Sequence, residues 1–137
     1  DALREQLERI HQLHGYAILY DCHSIRSLVP YLFEGKLPDF NIGTNSGSSC
    51  DPAIESAVAT ICSAANDYSA VSNGRFKGGW TTRHYGDPEQ GFHAIQMELA
   101  QCNYMLEQKP WTYADDKAGK LRVILADVLQ HLSTLLD

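Results

Sequence analysis

The chain has 137 residues, of which 44% are hydrophobic and 20% are charged, a composition typical of one globular domain with its own core. A net charge of −6 without a Lys/Arg cluster argues against a nucleic-acid surface, and four cysteines without a Cys-x-x-Cys pair indicate reduced thiols. No apolar run approaches a membrane span and the opening residues lack a signal-peptide core, so we expect a cytoplasmic protein with no membrane partner.

The first predicted element is a helix from Asp1 to His14. Apolar side chains recur at every third or fourth position, at Leu3, Leu7, Ile10 and Leu13. Gly15 is a natural stop for this helix. Because the first residue is not methionine and opens directly into the helical pattern, we expect the chain to be a piece of something longer.

The next stretch, Tyr16 to Ser27, has the sequence YAILYDCHSIRS and predicts a buried strand of a parallel sheet. Ligands bind beyond the carboxyl ends of such strands, which is where Asp21 and His23 fall. Two interpretations remain open. Asp21 and Ser24 could cap a turn while His23 bonds a backbone carbonyl, or His23 could bind a metal while Asp21 fixes its ring.

Leu28 to Ser49 reads as a long loop with one short helical turn, because two prolines and three glycines interrupt any periodicity. Asp51 then caps a helix with Pro52 at its first position, and this helix should end near Asn66. A short strand is predicted from Tyr68 to Ser72.

The segment NGRFKGGWTTRHYG follows that strand and concentrates positive charge within ten residues. Its glycines let the backbone approach a ligand closely, and the planar fork of an arginine can hold a carboxylate through two parallel hydrogen bonds. The segment therefore outlines a carboxylate or phosphate site. The alternative is a solvated basic hairpin without a ligand.

A further strand is predicted from Phe92 to Leu99, with Glu98 at the end of a largely apolar run. Partial burial raises a carboxyl pKa and suits a general base or acid, although an ion pair is the alternative. From Ala114 to Leu136 the spacing predicts a long amphipathic helix that covers one face of the sheet.

Three motifs in this order, DCHSIRS, NGRFKGGWTTRHYG and GFHAIQMELAQCNYM, resemble the carboxyl-terminal half of the N-formylglutamate amidohydrolase family. The resemblance implies an α/β fold like that of the zinc carboxypeptidases (phosphorylase/hydrolase-like), with a mixed, largely parallel sheet flanked by helices and incomplete in this chain. It also implies hydrolysis of N-formyl-L-glutamate to L-glutamate and formate, a step of histidine degradation, with a divalent metal that we expect to be Zn²⁺.

The resemblance also implies roles for individual residues. His23 would be a metal ligand oriented by Asp21, and Glu98 would be the general base that takes a proton from the attacking water. The glutamate carboxylates of the substrate, a small N-acyl amino acid, would be held by Arg75 and Arg83, with lesser contacts from Asn73 and Thr82.

The family's first motif, a P-H-S-G-like segment, is not found in these 137 residues. Since a catalytic zinc normally takes three protein ligands, we expect the remaining amino-terminal half of the same protein to be the partner, and the isolated chain to be inactive. His93 and His84 are poor substitutes for the missing ligands. Two other functions remain open: a non-catalytic domain that binds an acidic metabolite or peptide through the loop from Arg75 to Arg83, and a cysteine hydrolase using Cys22 or Cys102.

Overall fold

The structure, a computed structural model, describes residues 1–135 and contains a sheet flanked by helices on both faces. The strands are β1 (Ala17–Ile25), β2 (Phe40–Gly43), β3 (Ala70–Ser72) and β4 (Phe92–Ala100). The helices are α1 (Ala2–His14), α2 (Pro52–Ala64), α3 (Trp80–Tyr85) and α4 (Asp115–Leu132). Short 3₁₀ turns cover Pro88–Gln90 and Gln101–Asn103.

The four strands lie in the order β1-β4-β2-β3. β1 is parallel to β4 over nine residue pairs, and β2 is parallel to β3, whereas β2 and β4 are antiparallel. The sheet is therefore mixed and largely parallel, as predicted. The pairing of β1 with β4 brings together two stretches that lie 75 residues apart in the sequence, as in the pair of Ala17 and Phe92.

Local capping signals determine the first two helices. The Asp1 carboxylate accepts hydrogen bonds from the first turn of α1, and Gly15 ends that helix in the left-handed conformation. Asp51 caps α2 in the same way, with Pro52 at its first position. Both helices confirm the predictions closely.

One face of the sheet packs against α2 and α4 and forms the main core. Phe40 and Ile42 of β2 meet Ile95 and Met97 of β4 there, and none of the four is more than 1% exposed. The helices contribute Ile54, Val58, Cys62, Leu121, Val128 and Leu132. Burial of this apolar surface is the main stabilising contribution to the domain.

The opposite face packs against α1 and α3 over the first half of β1 and β4 only. Leu7 of α1 and Tyr85 of α3 cover Ala17 and Leu19 of β1, together with Phe92 of β4. Further along the same face the residues change from apolar to polar. We call the polar half of this face, which begins at Asp21 of β1 and Gln96 of β4, the site face.

Three predicted elements differ from the structure. β2 lies inside the segment that was predicted to be a loop, because a strand of four residues is too short for a periodic signal. The basic segment forms the short helix α3, so the hairpin alternative is wrong. β1 continues to Ile25 because it pairs with β4 throughout, so Asp21 and His23 lie within the strand instead of after it.

The last predicted helix is confirmed over most of its length. It ends at Leu132, where the chain enters a turn, instead of continuing to Leu136, which lies outside the described residues. In the part of the chain that the structure describes, none of the helices combines the length and the apolar character needed to cross a bilayer.

Candidate active site

Asp21 and His23 form a pair on the site face. They lie two residues apart on β1, so their side chains point to the same side of the sheet. His23 Nε2 lies 2.9 Å from Asp21 Oδ1, and the side chain of Asp21 is the more buried of the two. The carboxylate thus fixes the imidazole ring and leaves its Nδ1 atom facing away from the pair. This geometry supports the functional interpretation of the motif, since neither residue lies in a turn.

Glu98 lies beside this pair on the neighbouring strand. It is the register partner of His23 in the parallel pairing of β1 and β4, and it is only 6% exposed. Burial raises the pKa of the Glu98 carboxyl, the negative charge of Asp21 raises it further, and the charge of His23 opposes both. A carboxyl in this environment gains basicity, which suits the transfer of protons near neutral pH.

Gln96 shares the site face with Glu98, and sequence reasoning did not identify it. It is 4% exposed, and its side-chain oxygen accepts a hydrogen bond of 2.7 Å from the backbone N–H of Gly79. Its side-chain nitrogen lies 3.5 Å from Glu98 Oε2. The available signal was the two-residue spacing from Glu98 on a predicted strand.

A cavity of about 320 Å³ opens above these residues. It is lined by His23, Arg75, Phe76, Lys77, Gly78, Gly79, Gln96 and Glu98. We call residues 73–79, of which residues 75–79 form one wall of the cavity, the Arg75 loop. The Nε atom of Arg75 donates to the carbonyl of Leu32 at 3.1 Å, so the arginine is held at the rim of the cavity. The cavity therefore combines a carboxyl, an imidazole and two cationic side chains.

The Arg75 loop lies directly against the sheet. The Asn45 N–H donates to the Lys77 carbonyl at 2.6 Å, in addition to the bond from Gly79 to Gln96. A Cβ atom at Gly43 would lie 2.5 Å from the backbone nitrogen of Gly78, so the loop can take this position only above a glycine. Gly78 itself has φ +105°, a conformation that side-chain-bearing residues rarely adopt.

The other three predicted substrate contacts do not line the cavity. Arg83 lies on α3 and donates from Nη1 to the carbonyl of Gly78 at 2.8 Å. Thr82 is fully buried beneath Gly78. The Asn73 side chain accepts from the N–H groups of Thr44 and Ser46 and donates to Thr44, so it holds that turn. Their roles in binding substrate stay predictions, with less geometric support than the role of Arg75.

Asn41 of β2 also lies on this face, where it contacts the backbone of Glu98. Its side-chain nitrogen donates to the backbone carbonyl of Glu98 at 3.1 Å and to that of Pro38 at 2.7 Å. Asn41 and Glu98 are register partners in the antiparallel pairing of β2 and β4. The amide thereby holds the backbone from which the Glu98 side chain projects.

The predicted metal ligand His23 lies apart from the two other histidines considered as ligands. Among residues 1–135, no three His, Cys, Asp or Glu side chains converge where a metal ion could be held. The His23–Asp21 pair fits one ligand and the carboxylate that orients it, and Asp21 Oδ2 is buried without a hydrogen-bond partner. His93 lies on the packed face, where its Nδ1 accepts from the Asp51 N–H, and His84 stacks on Trp80, so neither joins His23.

The cysteines offer no activated nucleophile at this site. Cys22 alternates with His23 along β1 and therefore points to the opposite face, as predicted. Desolvation raises the pKa of the Cys22 thiol, and the charge of Asp21 raises it further, which disfavours the reactive thiolate. Cys102 lies in the 3₁₀ turn after β4 and does not line the cavity.

The fold and the cavity together define an α/β domain in which polar residues near the carboxyl ends of two parallel strands surround a ligand-sized space. The sequence model of N-formylglutamate amidohydrolase matches residues 1–105. The chain belongs to this family, and the resemblance predicted from its three motifs is confirmed.

Curated relatives support this assignment. The chain is 55% identical over 130 residues to an N-formylglutamate deformylase of Pseudomonas aeruginosa and 54% identical to one of Pseudomonas putida. Each alignment covers 95% of this chain and 49% of the relative, so the chain spans about half the length of the curated relatives it matches.

A solved structure shares the fold. The crystal structure of an N-formylglutamate amidohydrolase from Ralstonia eutropha JMP134 superposes with a TM-score of 0.81 at 22% sequence identity. The superposition covers 94% of this chain and 48% of that one. At this identity the likeness concerns the arrangement of helices and strands.

Proposed function

We propose that this chain carries part of the active site of a metal-dependent enzyme that hydrolyses N-formyl-L-glutamate to L-glutamate and formate. The observation that carries the proposal is the buried Glu98 carboxyl beside the His23–Asp21 pair, in a cavity with Arg75 at its rim. The names of the Pseudomonas relatives support the choice of substrate.

In this proposal Glu98 is the general base. It takes a proton from the water that attacks the formyl carbon, and it later passes that proton to the nitrogen of the leaving glutamate. One C–O bond forms and one C–N bond breaks, so that no oxidant or reductant is needed. The raised pKa of the Glu98 carboxyl suits both steps, because the group must accept the proton and then release it.

In this proposal Arg75 binds a carboxylate group of the acidic substrate. Its guanidinium lines the cavity that Glu98 also lines, and it can hold a carboxylate through charge-assisted hydrogen bonds. Lys77 adds a second positive charge to the same wall. A substrate carboxylate bound at this wall would leave the formamide end facing the Glu98 carboxyl.

His23 would supply one ligand for a divalent metal, which we propose to be Zn²⁺, with its ring fixed by Asp21. Such a metal polarises the carbonyl under attack and makes water more acidic. We propose that the other ligands come from outside the described residues, from the remaining amino-terminal half of the same protein. The predicted likeness to the zinc carboxypeptidases also stays a proposal.

The experiment is an assay of formate release from N-formyl-L-glutamate by the full-length protein, with added zinc, after chelation, and with His23→Ala. Formate that disappears after chelation and in the variant would support the proposal. A full-length protein that binds L-glutamate but releases no formate under any metal would favour the non-catalytic, acid-binding function instead. Tight one-to-one zinc binding by the isolated chain would contradict a metal site divided between two halves.

A further inference from the structure

Gln96 has both ends of its side-chain amide assigned by the structure. The Gly79 N–H can only donate, so the atom facing it at 2.7 Å must be the amide oxygen of Gln96. The amide NH₂ is therefore the end that faces Glu98 Oε2, at 3.5 Å. Since the side chain is 4% exposed, water cannot easily replace either partner.

Through these two contacts, Gln96 links the Arg75 loop to the Glu98 carboxyl. Gly79 ends the Arg75 loop, and Glu98 belongs to β4, so one side chain contacts both the anion-binding wall and the carboxyl. The start of the loop is held to β2 and the turn after it through Asn73, and its middle lies over Gly43, whereas Gln96 ties its Gly79 end to β4. A shift of Gln96 would therefore move the loop and the carboxyl relative to each other.

We propose that Gln96 is a positioning residue that fixes the orientation of the Glu98 carboxylate and ties it to the Arg75 loop. This inference rests on the proposed function, because it assigns Gln96 to the same reaction. Gln96 does not need to touch the substrate. Its NH₂ group holds one carboxylate oxygen of Glu98, which leaves the other oxygen for the attacking water. Its side-chain carbonyl holds the Gly79 end of the Arg75 loop at a fixed distance from β4.

Two substitutions separate these contacts in the full-length protein. Gln96→Glu keeps an acceptor for the Gly79 N–H but replaces the donor with a negative oxygen next to Glu98. We expect kcat to fall about 10- to 100-fold with little change in KM, the usual range for losing a hydrogen bond to a charged group. Gln96→Met keeps the volume but loses both contacts, so kcat should fall and KM should rise.

The assay measures kcat and KM for formate release, and exchange of the Gly79 amide hydrogen checks the loop. Exchange should stay slow in Gln96→Glu and become fast in Gln96→Met. Gln90→Glu makes the same chemical change at an exposed position in the 3₁₀ turn before β4 and should leave kcat and KM unchanged.

The outcomes distinguish the two proposals. If the wild-type protein releases formate and Gln96→Glu keeps the wild-type kcat, Gln96 only anchors the loop and this inference is overturned alone. If both variants lose activity only in proportion to their loss of folded protein, the role is structural and the inference is again overturned. If the wild-type protein releases no formate, the proposed function and the role of Gln96 are overturned together.

Discussion

The two faces of β4 differ in what their residues do, although both faces are buried. On the packed face, Ile95 and Met97 contact α2 and α4 within the apolar core. On the site face, Gln96 and Glu98 alternate with them and are almost equally buried, but their neighbours are polar. Burial alone therefore does not separate core from site. The chemistry of the neighbouring side chains on each face decides whether a buried residue adds to the apolar core or is available to the proposed reaction.

The largest expected effect is that of Glu98→Gln, a substitution on the site face of β4, in the full-length protein. If Glu98 is the general base, kcat/KM for formate release should fall about 10²- to 10⁴-fold. Folding stability should stay the same or rise at neutral pH, because the raised pKa means that the folded state disfavours the ionised carboxyl. Glu89→Gln, at an exposed position, is the matched control for both measurements.

The complementary test on the packed face is Ile95→Ala. Removing this fully buried side chain should lower the free energy of unfolding by about 2–5 kcal/mol, measured by urea denaturation. The folded fraction should keep its kcat and KM. Val123→Ala, at a position that is 72% exposed, should change stability by less than about 0.5 kcal/mol. A change in kcat for Ile95→Ala at full folding would contradict the division between the faces.

A third test compares two arginines near the site face. Arg75→Met should raise KM about 10- to 100-fold, because a charge-assisted contact to the substrate is lost while the groups near the reacting carbon remain. Arg83→Met should change KM less, since Arg83 does not line the cavity and donates to Gly78. Equal effects of both substitutions on KM would restore the wider basic site predicted from the sequence.

The smallest expected effect concerns a second buried carboxyl. Burial raises the pKa of Asp39, but hydrogen bonds from the backbone N–H and the hydroxyl of Ser69 and the charge of Lys36 outweigh it, so the pKa lies below its usual value. Asp39 thus stabilises the fold above the pKa of the unfolded chain, and this contribution is lost as the pH falls through the folded-state pKa. The sign is opposite to that for Glu98.

The measurement for Asp39 is the melting temperature as a function of pH in the acid range. Asp39→Asn should lose stability near neutral pH and show a shallower fall in melting temperature on acidification. Asp87→Asn, at an exposed position, should follow the wild-type curve. A steep acid transition that is retained in Asp39→Asn would assign the pH dependence to other carboxyls.

Local signals account for the parts of the fold that sequence reasoning identified. The caps Asp1, Gly15 and Asp51 act within a few residues of the helix ends that they define, so α1 and α2 could be predicted. β2 has only four residues, and α3 begins at Gly79 without a side-chain cap, so neither has a strong local pattern. These two elements depend on contacts across the sheet, which no short window of sequence contains.

The site residues also divide into those with a local sequence signal and those that depend on contacts distant in sequence. His23 and Asp21 are two residues apart, and their pairing could be predicted from one strand. Gln96 pairs with Gly79, which lies seventeen residues earlier in the chain, so no short window of sequence contains both residues. Arg83 and Thr82 lie on α3, where they contact Gly78 of the Arg75 loop and do not line the cavity that Arg75 lines.

Gly43 of β2 does not line the cavity, but it affects the position of the loop that does. Because a methyl group there would collide with the backbone of Lys77 and Gly78, which has no flexible atoms to yield, Gly43→Ala would act as a wedge under the Arg75 loop. The added methyl group would displace the Arg75 loop, widen the cavity and draw Gly79 away from Gln96. The absence of a side chain at Gly43 of β2 thus sets how closely the Arg75 loop approaches the sheet, and with it the width of the cavity.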